Sequence, residues 1–106
     1  MKSIMQAKDG TCYLCMKLNQ DFSVKPDIEE HHCIYGTARR KLSEKYGLKV
    51  YLCKAHHLTG DNAAHRNVRI SEMLKVAAQN AFEKRYPDLD FLEIFGKNYK
   101  GIEYEF

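Results

Sequence analysis

Apolar positions keep two different rhythms along this chain, and each rhythm predicts a different kind of element. From Thr37 to Tyr46 the apolar residues Ala38, Leu42 and Tyr46 recur every four positions among charged ones, and Gly47 follows. That spacing lays one apolar stripe along a short helix, leaves Arg39, Arg40, Lys41 and Lys45 exposed, and makes Gly47 the C-terminal cap. On either side the rhythm shortens. Leu48-Lys49-Val50-Tyr51-Leu52 alternates and is rich in β-formers, so it predicts a strand running straight into Cys53. Ile28 to Ile34 predicts an earlier strand, broken off at Gly36.

After residue 67 the helical rhythm returns and lengthens. Val68, Ile70, Met73, Leu74, Ala77, Ala81 and Phe82 mark one face of a helix over 68–86, a core or partner face. Asn67 is its expected N-cap, and Pro87 limits it after Tyr86. A shorter helix from Asp88 to Phe95 is closed by Gly96. The alternating tail Ile102 to Phe106 reads as an edge strand. Residues 1–11 form a lead-in that ends in the turn Asp9-Gly10, and Asn19 to Pro26 lacks a rhythm and reads as a loop. No repeat or linker interrupts the chain. The expectation is a single α+β domain with a core over 10–67, a helical part over 68–96 and a tail over 97–106.

Composition narrows the class. A chain of 106 residues holds one core, and 44% hydrophobic with 29% charged residues fits a water-soluble globular protein. No apolar run approaches the roughly 20 residues needed to span a bilayer, so no membrane partner is expected. Met1 to Gln6 lacks a signal-peptide core, which points to the cytoplasm and to thiolates on metal rather than disulfides. The net charge of +3 permits a nucleic-acid partner without demanding one.

The candidate chemistry is concentrated between residues 12 and 65, which hold all four cysteines and all five histidines. Cys12 and Cys15 are separated by two residues, and so are Cys53 and His56. Each such pair presents two ligands to one ion, and two pairs make a tetrahedral Cys3His site suited to structural Zn²⁺. Cys33 is left over and reads as a small buried thiol. His31, His32, His57 and His65 are surplus to a zinc site. On a strand His31 and His32 point to opposite faces, so they cannot play the same role; a distortion at the strand end would let one bind a metal while the other faces a substrate.

The ordered set resembles the HNH endonucleases of the ββα-metal class. It is carried by Cys12-x-x-Cys15, His31-His32-Cys33-Ile34-Tyr35-Gly36-x-x-Arg39-Arg40-Lys41-x-Ser43-Glu44-Lys45-Tyr46-Gly47-Leu48, Val50-Tyr51-Leu52-Cys53-x-x-His56-His57 and Gly60-x-x-Ala63-Ala64-His65. The likeness is closest to small phage and prophage HNH proteins, similar to the RecA-dependent, recombination-enhancing phage nucleases. It spans residues 12–66 and, less distinctively, the stretch Phe95 to Tyr99. It implies a ββα-metal core stapled by the Cys3His zinc, with C-terminal helices packed outside, in a bacterial host or phage setting. It implies hydrolysis of DNA phosphodiester bonds as a nick or single-strand cut, with His32 as general base. His31, His57 and His65 would hold one divalent catalytic metal, Zn²⁺, Mn²⁺, Ni²⁺ or Mg²⁺. The chain departs from the family where Leu48 stands in place of the usual Asn, five residues before the cysteine.

Two further expectations follow. Asp61, four residues after His57, is placed either to supply a ligand oxygen or orient a ligand imidazole, or to shape a plain turn. Arg39, Arg40, Lys41, Lys45 and Arg66 are the candidate phosphate contacts to DNA, with little base specificity; a recombinase is a second candidate partner. The alternative reading is a non-catalytic zinc-stabilised module that binds DNA or protein.

Overall fold

Two strands, Glu29–His32 (β1) and Lys49–Leu52 (β2), pair antiparallel in the computed structural model, which describes residues 1–100. Around them lie helices Tyr13–Asn19 (α1), Thr37–Tyr46 (α2), Val68–Arg85 (α3) and Phe91–Phe95 (α4), with a single π turn over Ala55–Thr59. The molecule is thus a small α+β fold on a two-stranded sheet. The expected edge strand over 102–106 lies outside the described residues.

The register sets Glu29 opposite Leu52, Glu30 opposite Tyr51, His31 opposite Val50 and His32 opposite Lys49. Helix α2 fills the connection between the strands and keeps the expected bounds, because Gly47 adopts the left-handed conformation that ends it. A side chain at Gly47 would also strike the Lys2 carbonyl oxygen, so this position is glycine for two reasons.

Strand β2 is buried along its whole length instead of alternating. The N-terminal lead-in is the cause. The Ser3 hydroxyl donates to the Lys49 carbonyl at 2.5 Å, and the Tyr51 amide donates to Gln6 Oε1 at 2.8 Å. These side chains satisfy backbone groups that an exposed edge would leave open to other chains. Residues 1–11 are therefore part of the sheet's cover.

The apolar core is shared by both halves of the chain. Leu14, Ile34, Leu48, Val50 and Leu52 meet Ile70, Met73, Leu74, Ala78 and Phe82 of α3 and Phe91 and Phe95 of α4. The C-terminal helices are thus half of the core rather than an outer layer. Phe82 lies at its centre, with Tyr46, Phe91 and Phe95 around its ring at centroid distances of 5.2, 5.4 and 5.8 Å. A two-stranded sheet has too little apolar surface to fold alone, and α3 supplies what it lacks. Asn67 caps α3 as expected, its side chain accepting from the Ile70 amide.

Candidate metal centres

Cys12 is the N-cap of α1, and its sulfur accepts from the Cys15 amide at 3.4 Å. The two cysteines therefore lie on a helix start, where a tight knuckle had been expected. On the other side, the Cys53 carbonyl accepts from the amides of His56 and His57 at 3.1 and 2.9 Å, which opens the π turn. These two local structures bring Cys12, Cys15, Cys53 and His56 together.

The separations fit one tetrahedral ion. His56 Nδ1 lies 3.6, 3.3 and 3.4 Å from the sulfurs of Cys12, Cys15 and Cys53, and Cys15 Sγ lies 3.8 Å from Cys53 Sγ. Zinc–sulfur bonds near 2.3 Å and zinc–nitrogen bonds near 2.0 Å give tetrahedral edges of about 3.5 Å for S···N and about 3.8 Å for S···S. Burial, and then the neighbouring thiols of Cys12 and Cys53, push the Cys15 thiol up to about 12. Three sulfurs so close together need a cation before they can ionise together. Cys33 lies outside this group, fully buried, with its sulfur 3.8 Å from Met5 Sδ.

A second group joins His31 of β1 with His57 of the π turn and His65 of the following loop, their ligand atoms within 4.8 Å of one another. Their ring centroids are 4.8 to 5.3 Å apart. The backbone holds the loop against the turn, since the amides of Ala64 and His65 donate to the carbonyls of His56 and His57. His31 is buried, and its Nε2 has no hydrogen-bond partner among the described residues. Its pKa is pushed down to about 3, by burial first and then by the charges of His65, His57, His32 and Lys75. Burial and the nearby His57 lower His65 as well. Neutral imidazoles at physiological pH are the form that binds metals. Glu29 accepts from His57 Nδ1 at 3.1 Å, which leaves Nε2 of that ring as the acceptor.

His32 points to the other face of β1, as a strand dictates, yet lines the same groove as the three histidines, with Arg40 beside it. Its Nε2 meets Glu44 Oε1 of α2 at 2.9 Å, with Glu30 Oε1 at 3.5 Å. Lys49, its partner across the sheet, extends Nζ to within 3.0 Å of Glu44 and 3.4 Å of Glu30.

At the position of the missing Asn, Leu48 is fully buried in the core and contributes only backbone bonds, accepting from Cys33 and donating to Ser43. The loop after β1 is braced from α2 instead. Ser43 Oγ donates to the Ile34 carbonyl at 2.5 Å and accepts from the Ile34 amide at 3.3 Å. This brace was hidden in the sequence, because Ser43 reads there as one more polar residue of a solvated helix.

The candidate basic residues divide. Arg40 lines the groove, and Lys41 borders the adjoining hollow with His32 and Glu44. Arg39 donates its Nε to the Phe95 carbonyl at 3.1 Å, and the exposed Arg66 donates to the Thr59 carbonyl at 2.5 Å and lines the hollow beside His65. Lys45 lies over the Tyr46 ring, 5.3 Å from its centroid. Asp61 stands apart from the histidine groups, its backbone carbonyl accepting from Asn67 Nδ2; the carboxylate that meets His57 is that of Glu29. Lys75, which sequence spacing did not single out, lies 4.5 Å over the Tyr35 ring next to His65.

Among the described residues no helix is long and apolar enough to cross a membrane. No family model, curated protein or solved structure matches this chain.

Proposed function

We propose that this protein is a metal-dependent endonuclease of the HNH kind, hydrolysing phosphodiester bonds of DNA one strand at a time. The observation that carries the reading is the buried Nε2 of His31, without a partner among the described residues, in a three-histidine group that opens on the same groove as His32 and Arg40. A buried nitrogen without a partner costs about 1–3 kcal/mol, and a cation held among the three rings removes that cost. Three imidazoles favour Zn²⁺, Mn²⁺ or Ni²⁺ over Mg²⁺. Zn²⁺ is assigned to the Cys3His site, as a structural ion, on its ligand separations.

The catalytic ion, when bound, supplies Lewis-acid stabilisation of the charge that develops on the phosphoryl and leaving oxygens. His32 does the proton chemistry: its imidazole takes a proton from the water whose oxygen forms the new bond to phosphorus. The bond to the 3′ oxygen breaks, leaving a 5′ phosphate. A general base of this kind contributes roughly 100- to 10,000-fold. Arg40 holds a non-bridging oxygen of the scissile phosphate, and the remaining contacts go to backbone phosphates, so little base preference is expected. Phage or prophage origin and a recombinase partner rest on the sequence resemblance alone.

The test is nicking of supercoiled plasmid with Mn²⁺, Ni²⁺, Mg²⁺ or EDTA, by wild type, His31→Ala and His32→Ala. Both variants should lose nicking. His31→Ala should lose the second ion and keep the zinc, while His32→Ala should keep both. Nicking at the wild-type rate by both variants rules the reading out in favour of a binding module.

A further inference from the structure

We propose that Glu44 is the positioning residue of this site, fixing His32 in the tautomer whose Nδ1 accepts a proton; this rests on His32 being the base. A carboxylate without its proton can only accept hydrogen bonds. Since Glu44 Oε1 lies 2.9 Å from His32 Nε2, that nitrogen must carry the hydrogen, and the neutral ring keeps its lone pair on Nδ1. Glu44 stays ionised because the Met1 amine, then His32 and Lys49, hold its carboxyl well below the usual carboxylate range.

Glu30, His32 and Glu44 together have the composition of a cation site. The cation is already part of the chain. Lys49 Nζ lies 3.0 and 3.1 Å from the two oxygens of Glu44 and 3.4 Å from Glu30 Oε2, which makes this an ion-pair network and not a third metal centre. The network also accounts for a lysine that is only 6% exposed on a strand. Register explains its construction: Lys49 faces His32 across the sheet, and the last turn of α2 brings Glu44 to both.

Glu44→Gln discriminates between a positioning role and a structural one. It keeps the shape of the side chain, but the Gln carbonyl will turn to the Lys49 ammonium and present its amide N–H to His32. The ring then carries its proton on Nδ1 and has no lone pair for the water. Turnover should fall at least about 100-fold, since a wrong tautomer beside a catalytic histidine is costly. KM, the zinc content and the second metal should be unchanged. Nitrogen NMR of the His32 ring should show an Nε2–H tautomer in wild type and an Nδ1–H tautomer in the variant. Glu44→Asp, which keeps the charge, should retain more turnover than Glu44→Gln and the wild-type tautomer.

The proposal is overturned if Glu44→Gln turns over within twofold of wild type while His32→Ala is inactive, or if the wild-type ring carries Nδ1–H. If His32→Ala nicks like wild type, the base assignment fails with it. The NMR measurement still decides whether Glu44 sets the tautomer, so the two failures are told apart.

Discussion

Replacing Cys15 by Ser should unfold the protein, whereas replacing Cys33, which is buried even more completely, by Ala should not. Cys15 Sγ lies 3.3 Å from His56 Nδ1 and 3.8 Å from Cys53 Sγ, separations that suit ligands of one ion, whereas Cys33 Sγ lies outside this group, 3.8 Å from Met5 Sδ. A structural zinc contributes roughly 10–16 kcal/mol in small metal-dependent peptides. A domain of this size has about 5–15 kcal/mol of net stability in all. Losing a zinc ligand therefore removes an amount comparable to the whole, and a two-stranded sheet offers little to replace it. Cys33→Ala removes one sulfur from the core and should cost about 1–2 kcal/mol. The damage at Cys15→Ser should also reach the second centre, because His57 directly follows His56 and the His57 carbonyl holds the His65 amide. The assay is metal analysis of purified protein alongside thermal unfolding followed by circular dichroism, with and without added Zn²⁺. Cys15→Ser should show no stoichiometric zinc and no cooperative transition, and Cys33→Ala should show the zinc content of wild type and a transition a few degrees lower. The reasoning is refuted if Cys15→Ser keeps both its zinc and its melting temperature, or if Cys33→Ala loses zinc.

Three further outcomes follow from the same geometry. Ser43→Ala leaves the Ile34 amide and carbonyl buried without their partner, and should lower stability by about 1–3 kcal/mol in chemical denaturation; an unchanged midpoint would mean that water replaces the hydroxyl. Arg40→Ala should weaken binding to short DNA and reduce the slope of log affinity against log salt by about one. Arg39→Ala, which loses a bond to Phe95, should instead lower the melting temperature and leave that slope alone; the opposite pattern would reverse the two assignments. Acid should destabilise the metal-free second site. His31 is held at about 3 when folded and near 6.5 when unfolded, so the unfolded chain binds the extra proton between those values. Stability is fully present above pH 6.5 and falls by about 1.4 kcal/mol for each unit below it. His31→Gln, unfolded by denaturant at several pH values, should show a shallower fall than wild type, and parallel curves would refute the assignment.

The carbonyls of His56 and His57 make the π turn the hinge between the two centres. One ring of this turn goes to the sulfurs and the next to the other histidines, so an ion held by the first group would also fix the geometry of the second. Surplus histidines beside a zinc site are for that reason more informative than the same residues elsewhere.

What the sequence determined by itself is whatever near neighbours control. The bounds of α2 follow from its four-residue stripe and Gly47, the cap of α3 from Asn67, and the Cys3His group from two pairs with equal spacing. The opposite faces of His31 and His32 follow from the strand period alone. Tertiary structure decided everything that depends on what covers a residue. Lys49 belongs to the polar side of an alternating strand, and only the lead-in over β2 and the carboxylates of Glu30 and Glu44 make it buried. Ser43 and Glu44 look like one solvated helix face, until the fold lays that helix against Ile34 and His32. Glu29 takes the orienting role that was one of two alternatives for Asp61, because β1 passes beside the π turn, a closeness between residues 28 positions apart. Spacing along a chain encodes local geometry; the partners that brace a site come from segments that meet only after the core has closed.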